Sequence, residues 1–142
     1  MTPDQKTLVK DTWSKVVPIA DTAASLFYGK LFEIDPSTQP LFKAADMPEQ
    51  RKKLMQAIGT VVASLDNLTP LIPVLENLGR KHVAYGVADK QYDTVGAALL
   101  WTLEQGLGDA WTPPVKDAWT AAYTAVAGVM RGAAQTVSAA AE

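Results

Sequence analysis

An all-α fold is predicted for this 142-residue chain by two observations and one absence. Apolar residues recur three or four positions apart in six or seven successive stretches, the spacing that lines one face of a helix. Most of those stretches open on a threonine, aspartate or proline of the kind that starts helices. No stretch alternates in the manner of a strand, no hairpin turn joins two such runs, and no internal repeat is present.

The elements follow in order. Thr2-Pro3-Asp4-Gln5 combines an N-cap, a proline suited to the first helical position and a glutamine able to complete a capping box. The helix it opens should run to about residue 17, with Leu8, Val9, Trp13 and Val16 on one face. A second helix, over about 19–33, places Ala24, Phe27, Tyr28, Leu31 and Phe32 at helical spacing. Asp35-Pro36 ends it, because the residue before proline is pushed out of the α region, and a short turn follows to Phe42. Asp46-Met47-Pro48-Glu49 starts the next helix, with Gln50, Leu54, Ile58, Val61 and Leu65 in its pattern. Thr69-Pro70 opens another, whose stripe is Leu71, Val74, Leu75, Leu78 and His82, with Gly86 where it would stop. Asp89 is placed to cap a long helix through Val95, Leu99 and Leu103 to about Leu107. Thr112-Pro113-Pro114 opens the last, carrying Val115, Trp119, Tyr123, Val126 and Met130. The alanine-rich tail from Gln135 is expected to fray.

Length and composition narrow the function classes. A chain of this size forms one domain over residues 1–142 and buries about 70% of its unfolded surface. Apolar residues make up 48% and charged residues 20%, which excludes wholesale disorder. A net charge of −2 argues against nucleic acid as a partner, since phosphate binding needs a basic face. The absence of cysteine removes disulfides, thiolate metal sites and cysteine nucleophiles. No secretory signal or membrane-length apolar run is found, so a soluble cytoplasmic domain without a membrane partner is expected.

His82, the only histidine, closes an aliphatic stripe and should face the interior. One reading is a buried neutral imidazole bonded to a backbone carbonyl. A zinc site needs three or four protein ligands, and no serine and acid are placed to form a nucleophilic triad with it. One histidine does suffice for a haem, because the porphyrin supplies four nitrogens and the protein a fifth ligand. Helical periodicity alone leaves these readings open and does not separate one helical bundle from another.

Leu78-Gly79-Arg80-Lys81-His82 with Gly86-Val87, followed by Thr94-Val95-Gly96 and Leu99-Leu100, resembles the globin family around its proximal histidine. The resemblance extends through Leu107-Gly108, Trp111-Thr112-Pro113 and Ala118-Trp119. Upstream it takes in Trp13, Leu26-Phe27-Tyr28, Leu31-Phe32, Asp35-Pro36 and Pro40-Leu41-Phe42. It covers roughly residues 4–133 and is nearest to bacterial single-domain haemoglobins and the globin half of flavohaemoglobins, with neuroglobin-like segments.

The resemblance implies a globin fold sandwiching one haem b (iron protoporphyrin IX), with His82 as the iron ligand. It implies Gln50 as the distal residue, 32 residues before His82, with Leu54 one turn later and Tyr28 facing the same gas site. Phe42 is implied to pack on the haem and Lys53 to meet a propionate. Leu78, Val87, Tyr92, Val95, Leu99 and Tyr123 are implied as further haem-wall positions. The ligands implied are dioxygen and other diatomic gases, held with high affinity by the tyrosine–glutamine pair, since a phenol O–H and an amide N–H are both donors. The resemblance equally allows a nitric oxide dioxygenase served by a separate reductase.

Two departures bear on that choice. Only seven residues separate Phe42 from Gln50, a short connection of the bacterial type. The late-helix glutamate with which flavohaemoglobins engage the proximal imidazole falls here on Ala134, so a backbone carbonyl is the expected partner of His82 and reversible binding is favoured over enzymatic turnover.

Overall fold

The computed structural model describes residues 1–42, 46–84 and 86–141, with side chains described as far as residue 134 apart from residue 84. Its helices are α1 (Pro3–Val16), α2 (Ala20–Ile34), α3 (Met47–Ala63), α4 (Ile72–Ala84), α5 (Lys90–Leu107) and α6 (Pro113–Ala141). No strand occurs among the described residues. The short connection between Phe42 and Gln50 falls partly at 43–45, outside them.

Local chemistry accounts for most of the boundaries. The Thr2 hydroxyl accepts the Gln5 N–H at 3.1 Å while the Gln5 amide oxygen accepts the Thr2 N–H at 3.0 Å, the reciprocal pair expected at the start of α1. Pro18 sits in a 3-10 turn at Val17–Ile19 that separates α1 from α2. Asp35 is extended ahead of Pro36, and the segment Pro36–Phe42 forms a 3-10 helix. Asp46 caps α3 by accepting the Glu49 N–H at 3.4 Å.

Three expectations are corrected. The helix α3 stops at Ala63, and Leu65 is buried from the turn that follows. Thr69–Leu71 forms a 3-10 turn, and α4 proper starts at Ile72. Asp89 makes no side-chain cap; its backbone is already helical, and the Gln91 amide oxygen takes the Ala88 N–H instead, at 2.7 Å. The backbone of α6 is helical through Ala141, in keeping with alanine's high helix propensity.

Packing pairs α4 with α6, α2 with α5, α1 with α6 and α2 with α3. The first of these crossings depends on Gly79, where a Cβ would overlap the Met130 backbone carbonyl. Between α1 and α6 the buried Trp119 indole N–H donates to the Thr12 hydroxyl at 2.8 Å, and that hydroxyl donates to the Leu8 carbonyl at 2.7 Å. Both polar groups are thereby satisfied where water is excluded.

The buried apolar residues form three clusters, whereas a domain usually has one contiguous core. Val9, Val16, Val62, Leu103 and Trp119 belong to the largest. Phe27, Tyr28, Leu31 and Ala98 make the second, with Phe42, Leu54 and Val95 against it. Leu75, Tyr92, Ala127 and Met130 make the third, with Leu78, Val87 and Tyr123. What keeps them apart is a cavity. Among the described residues no helix is long and apolar enough to cross a membrane.

Candidate functional site

The cavity has a volume of about 300 Å³ and takes wall residues from all three clusters: Val9, Val62 and Trp119; Phe27, Leu54 and Val95; Leu75, Leu78, Tyr123 and Met130. Its mouth lies between α3 and α4, where Ala57, Thr60 and Val74 line it and are exposed, Val74 by 60%. Its lining is almost wholly apolar, and a concave space of this kind suits a large apolar group.

His82 stands one turn beyond Leu78 on α4 and is half-buried. Its Nδ1 lies 2.6 Å from the Leu78 carbonyl oxygen. An N–H on Nδ1 that donates to this carbonyl leaves the lone pair on Nε2, which is how a protein presents imidazole to a metal. The backbone carbonyl is thus the partner that the alanine at 134 led one to expect. The Tyr92 ring packs beside the imidazole, centroids 6.3 Å apart, and the Tyr92 hydroxyl is buried with no hydrogen-bond partner among the described residues. Among the described residues no group of three or more His, Asp or Glu could hold a metal ion. A metal here needs a carrier that brings its own donors, and a porphyrin asks of the protein one imidazole and an apolar slot.

Elsewhere α2 and α3 bring together two side chains 22 residues apart in sequence. The Gln50 Nε2 donates to the Tyr28 hydroxyl at 3.2 Å. The phenol is 6% exposed, and burial raises its pKa above the usual 10.0 while the Gln50 hydrogen bond opposes the rise. Tyr28 thus keeps its proton at neutral pH. Because its oxygen accepts from Gln50, its own O–H is directed elsewhere. Aromatic packing fixes the ring: Phe27 stacks on it at 5.1 Å, and Phe42 meets it edge-on at 5.3 Å.

The remaining expected residues divide. Leu54, Leu78, Val95, Leu99 and Tyr123 line the cavity. Tyr28, Phe42, Val87 and Tyr92 stand outside that lining, packed in the clusters around it, while Gln50 and His82, also outside it, contact Tyr28 and Tyr92 respectively. Lys53 is exposed on α3. Tyr123 also donates its hydroxyl to the Tyr92 carbonyl at 2.5 Å, and its ring lies where a Cβ on Gly96 would come within 2.8 Å. Burial pushes the Tyr123 phenol strongly upward. Phe27, Val61, Val126 and Met130 are among the further wall residues and had not been singled out for it. Their helical spacing marked them as interior without saying that the interior was hollow.

The family model described as Globin matches residues 25–130. The chain belongs to the globin family. It is 33% identical to a neuroglobin of Chaenocephalus aceratus over 138 residues, covering 88% of this chain and 87% of that one. It is 32% identical to a flavohemoprotein of Bacillus subtilis (strain 168) over 133 residues, 91% of this chain but 33% of that protein. In three dimensions this globin superposes on a bacterial globin from Campylobacter jejuni with a TM-score of 0.83, over 96% of this chain and 98% of that one, at 24% identity. The expected all-α globin fold is therefore the fold observed. Membership of the family supports haem-based gas binding as its general role.

Proposed function

We propose that this globin binds dioxygen reversibly and with high affinity, using haem b held by His82 together with the tyrosine–glutamine pair Tyr28 and Gln50. When bound, the haem supplies the iron centre at which a diatomic gas coordinates. The observation that carries the reading is the Gln50–Tyr28 hydrogen bond, which orients a protonated phenol from one helix by an amide from another. Leu78 and His82 lie one helical turn apart, so the carbonyl of the first holds the imidazole of the second while its side chain lines the slot. Leu54, Val95 and Leu99 give the cavity an apolar wall.

The Tyr28 O–H is the donor available to a ligand that carries partial negative charge, and Gln50 sets its direction. A hydrogen bond to a neutral acceptor nets about 0.5–1.5 kcal/mol and to a charged one about 1.5–3 kcal/mol. That range corresponds to roughly 2- to 140-fold slower gas release at ~1.4 kcal/mol per tenfold. The test is an absorption spectrum of the purified protein, oxidised, reduced by dithionite and then exposed to dioxygen. A Soret band that shifts reversibly with dioxygen is expected. A protein showing no Soret band after haem is added would refute the proposal, and a His82→Ala protein with unchanged haem affinity would refute the assignment of the ligand.

A further inference from the structure

The residues after His82 are tied down with unusual care. At the end of α4 the Gly86 N–H donates to the Val83 carbonyl at 3.0 Å, and the Val87 N–H donates to the carbonyl of His82 itself at 2.9 Å. Gly86 has φ +90°, a conformation that side-chain-bearing residues rarely adopt. The corner 86–89 therefore hangs directly on the residue that carries the imidazole. From the other side, the Arg131 guanidinium of α6 donates to the Asp89 carbonyl at 3.2 Å and to the Asp93 carboxylate at 2.7 Å.

Gln91 makes the remaining attachment. It is 6% exposed, a buried polar side chain that the haem-wall positions do not include. Its amide oxygen accepts the Ala88 N–H at 2.7 Å, which fixes the corner. Its amide nitrogen donates to the Ser37 hydroxyl at 3.5 Å, and that hydroxyl donates to the Asp35 carboxylate at 2.5 Å. Ser37 belongs to Pro36–Phe42, the segment whose last residue, Phe42, stands edge-on against Tyr28. One amide thus joins the corner beneath the imidazole to the segment beside the distal phenol.

We propose that Gln91 is a positioning residue that locks the two sides of the slot to each other, holding His82 at a set height relative to Phe42 and Tyr28. The proposal rests on the haem reading of His82. Glutamine suits the task because the bridge needs an acceptor at one end and a donor at the other. Glutamate would keep the acceptor for Ala88, lose the donor for Ser37 and bring a second carboxylate toward Asp35. Leucine would lose both ends. A residue that served only as a helix cap would need nothing at Ser37.

Gln91→Glu and Ser37→Ala break the bridge and spare the cap, so they separate positioning from capping. Two readouts on the haem-loaded protein, amide hydrogen exchange and the iron–imidazole stretching band of the reduced, gas-free form, are followed alongside urea unfolding. In both variants the Val87 amide is expected to exchange about fivefold faster, the worth of one ordinary hydrogen bond. The stretching band is expected to shift or broaden, and gas release to quicken by about two- to fivefold as the binding-competent arrangement loses population. An unchanged band and unchanged release in both variants, with only the unfolding midpoint moved, would overturn the proposal. Failure of the wild-type protein to take up haem would instead overturn the reading beneath it, and Val87 exchange in the unloaded chain would still show whether the bridge holds the corner.

Discussion

Replacing Tyr28 by phenylalanine removes one oxygen from a ring that is already held by Phe27 at 5.1 Å and Phe42 at 5.3 Å. The aromatic contacts survive the change, so the ring should stay in place. The Gln50 amide loses its acceptor, but Gln50 is only half-buried and turns to water. The stability loss is therefore held to about 1 kcal/mol, the net worth of the one hydrogen bond. Under the proposed function the loss of activity is larger, because the phenol O–H is then the donor to a polarised ligand. At about 1.5 kcal/mol or more for a partly charged acceptor, gas release accelerates roughly tenfold or beyond. Removing Gln50 as alanine leaves the phenol present but undirected, and a smaller acceleration is expected. Because one group orients the other, the two effects do not multiply: the double variant should release gas no faster than about threefold above Tyr28→Phe. Stopped-flow displacement of dioxygen from the four proteins measures this directly. Unchanged release in both single variants would refute the two-residue pocket, and fully multiplicative effects would show that Gln50 acts on the ligand independently of Tyr28.

Other expectations concern the scaffold. Gly79→Ala should force α4 and α6 apart at Met130, costing about 1–3 kcal/mol as overpacking does, with urea unfolding as the check. Thr12→Val preserves shape but strands the buried Trp119 N–H, and a loss of about 1–3 kcal/mol is expected in the same assay, whereas a neutral result would show that water reaches the indole. The phenols of Tyr28, Tyr92 and Tyr123 are all raised by burial. Above pH 10 the unfolded chain therefore releases protons that the folded chain retains, so the unfolded state binds fewer and folding stability falls as pH rises. Their contribution is fully present below that pH and is lost through the alkaline range. Unfolding titrations between pH 8 and 12 should show it, with a shallower alkaline limb in Tyr28→Phe.

The sequence by itself determined the helices, because their signals are local. The Thr2–Gln5 capping box, Asp35 before Pro36 and Asp46 ahead of α3 each act within a few residues of the boundary they set. His82 was legible too, as a lone imidazole closing an apolar stripe, and the family resemblance gave it a role. The sequence could not reveal that Leu75, Leu78, Phe27 and Met130 surround a space instead of filling one, since an apolar residue at helical spacing reads the same either way. Only tertiary structure brought the Gln50 amide to the Tyr28 hydroxyl, and only it gave the corner after His82 to Gln91 where the local pattern had pointed to Asp89. Hydrogen bonds across 22 and 54 residues depend on how whole helices dock, and that docking follows from core shape and from a glycine such as Gly79 at a crossing point. Local chemistry therefore specified the rods, and the long-range packing of those rods specified the slot.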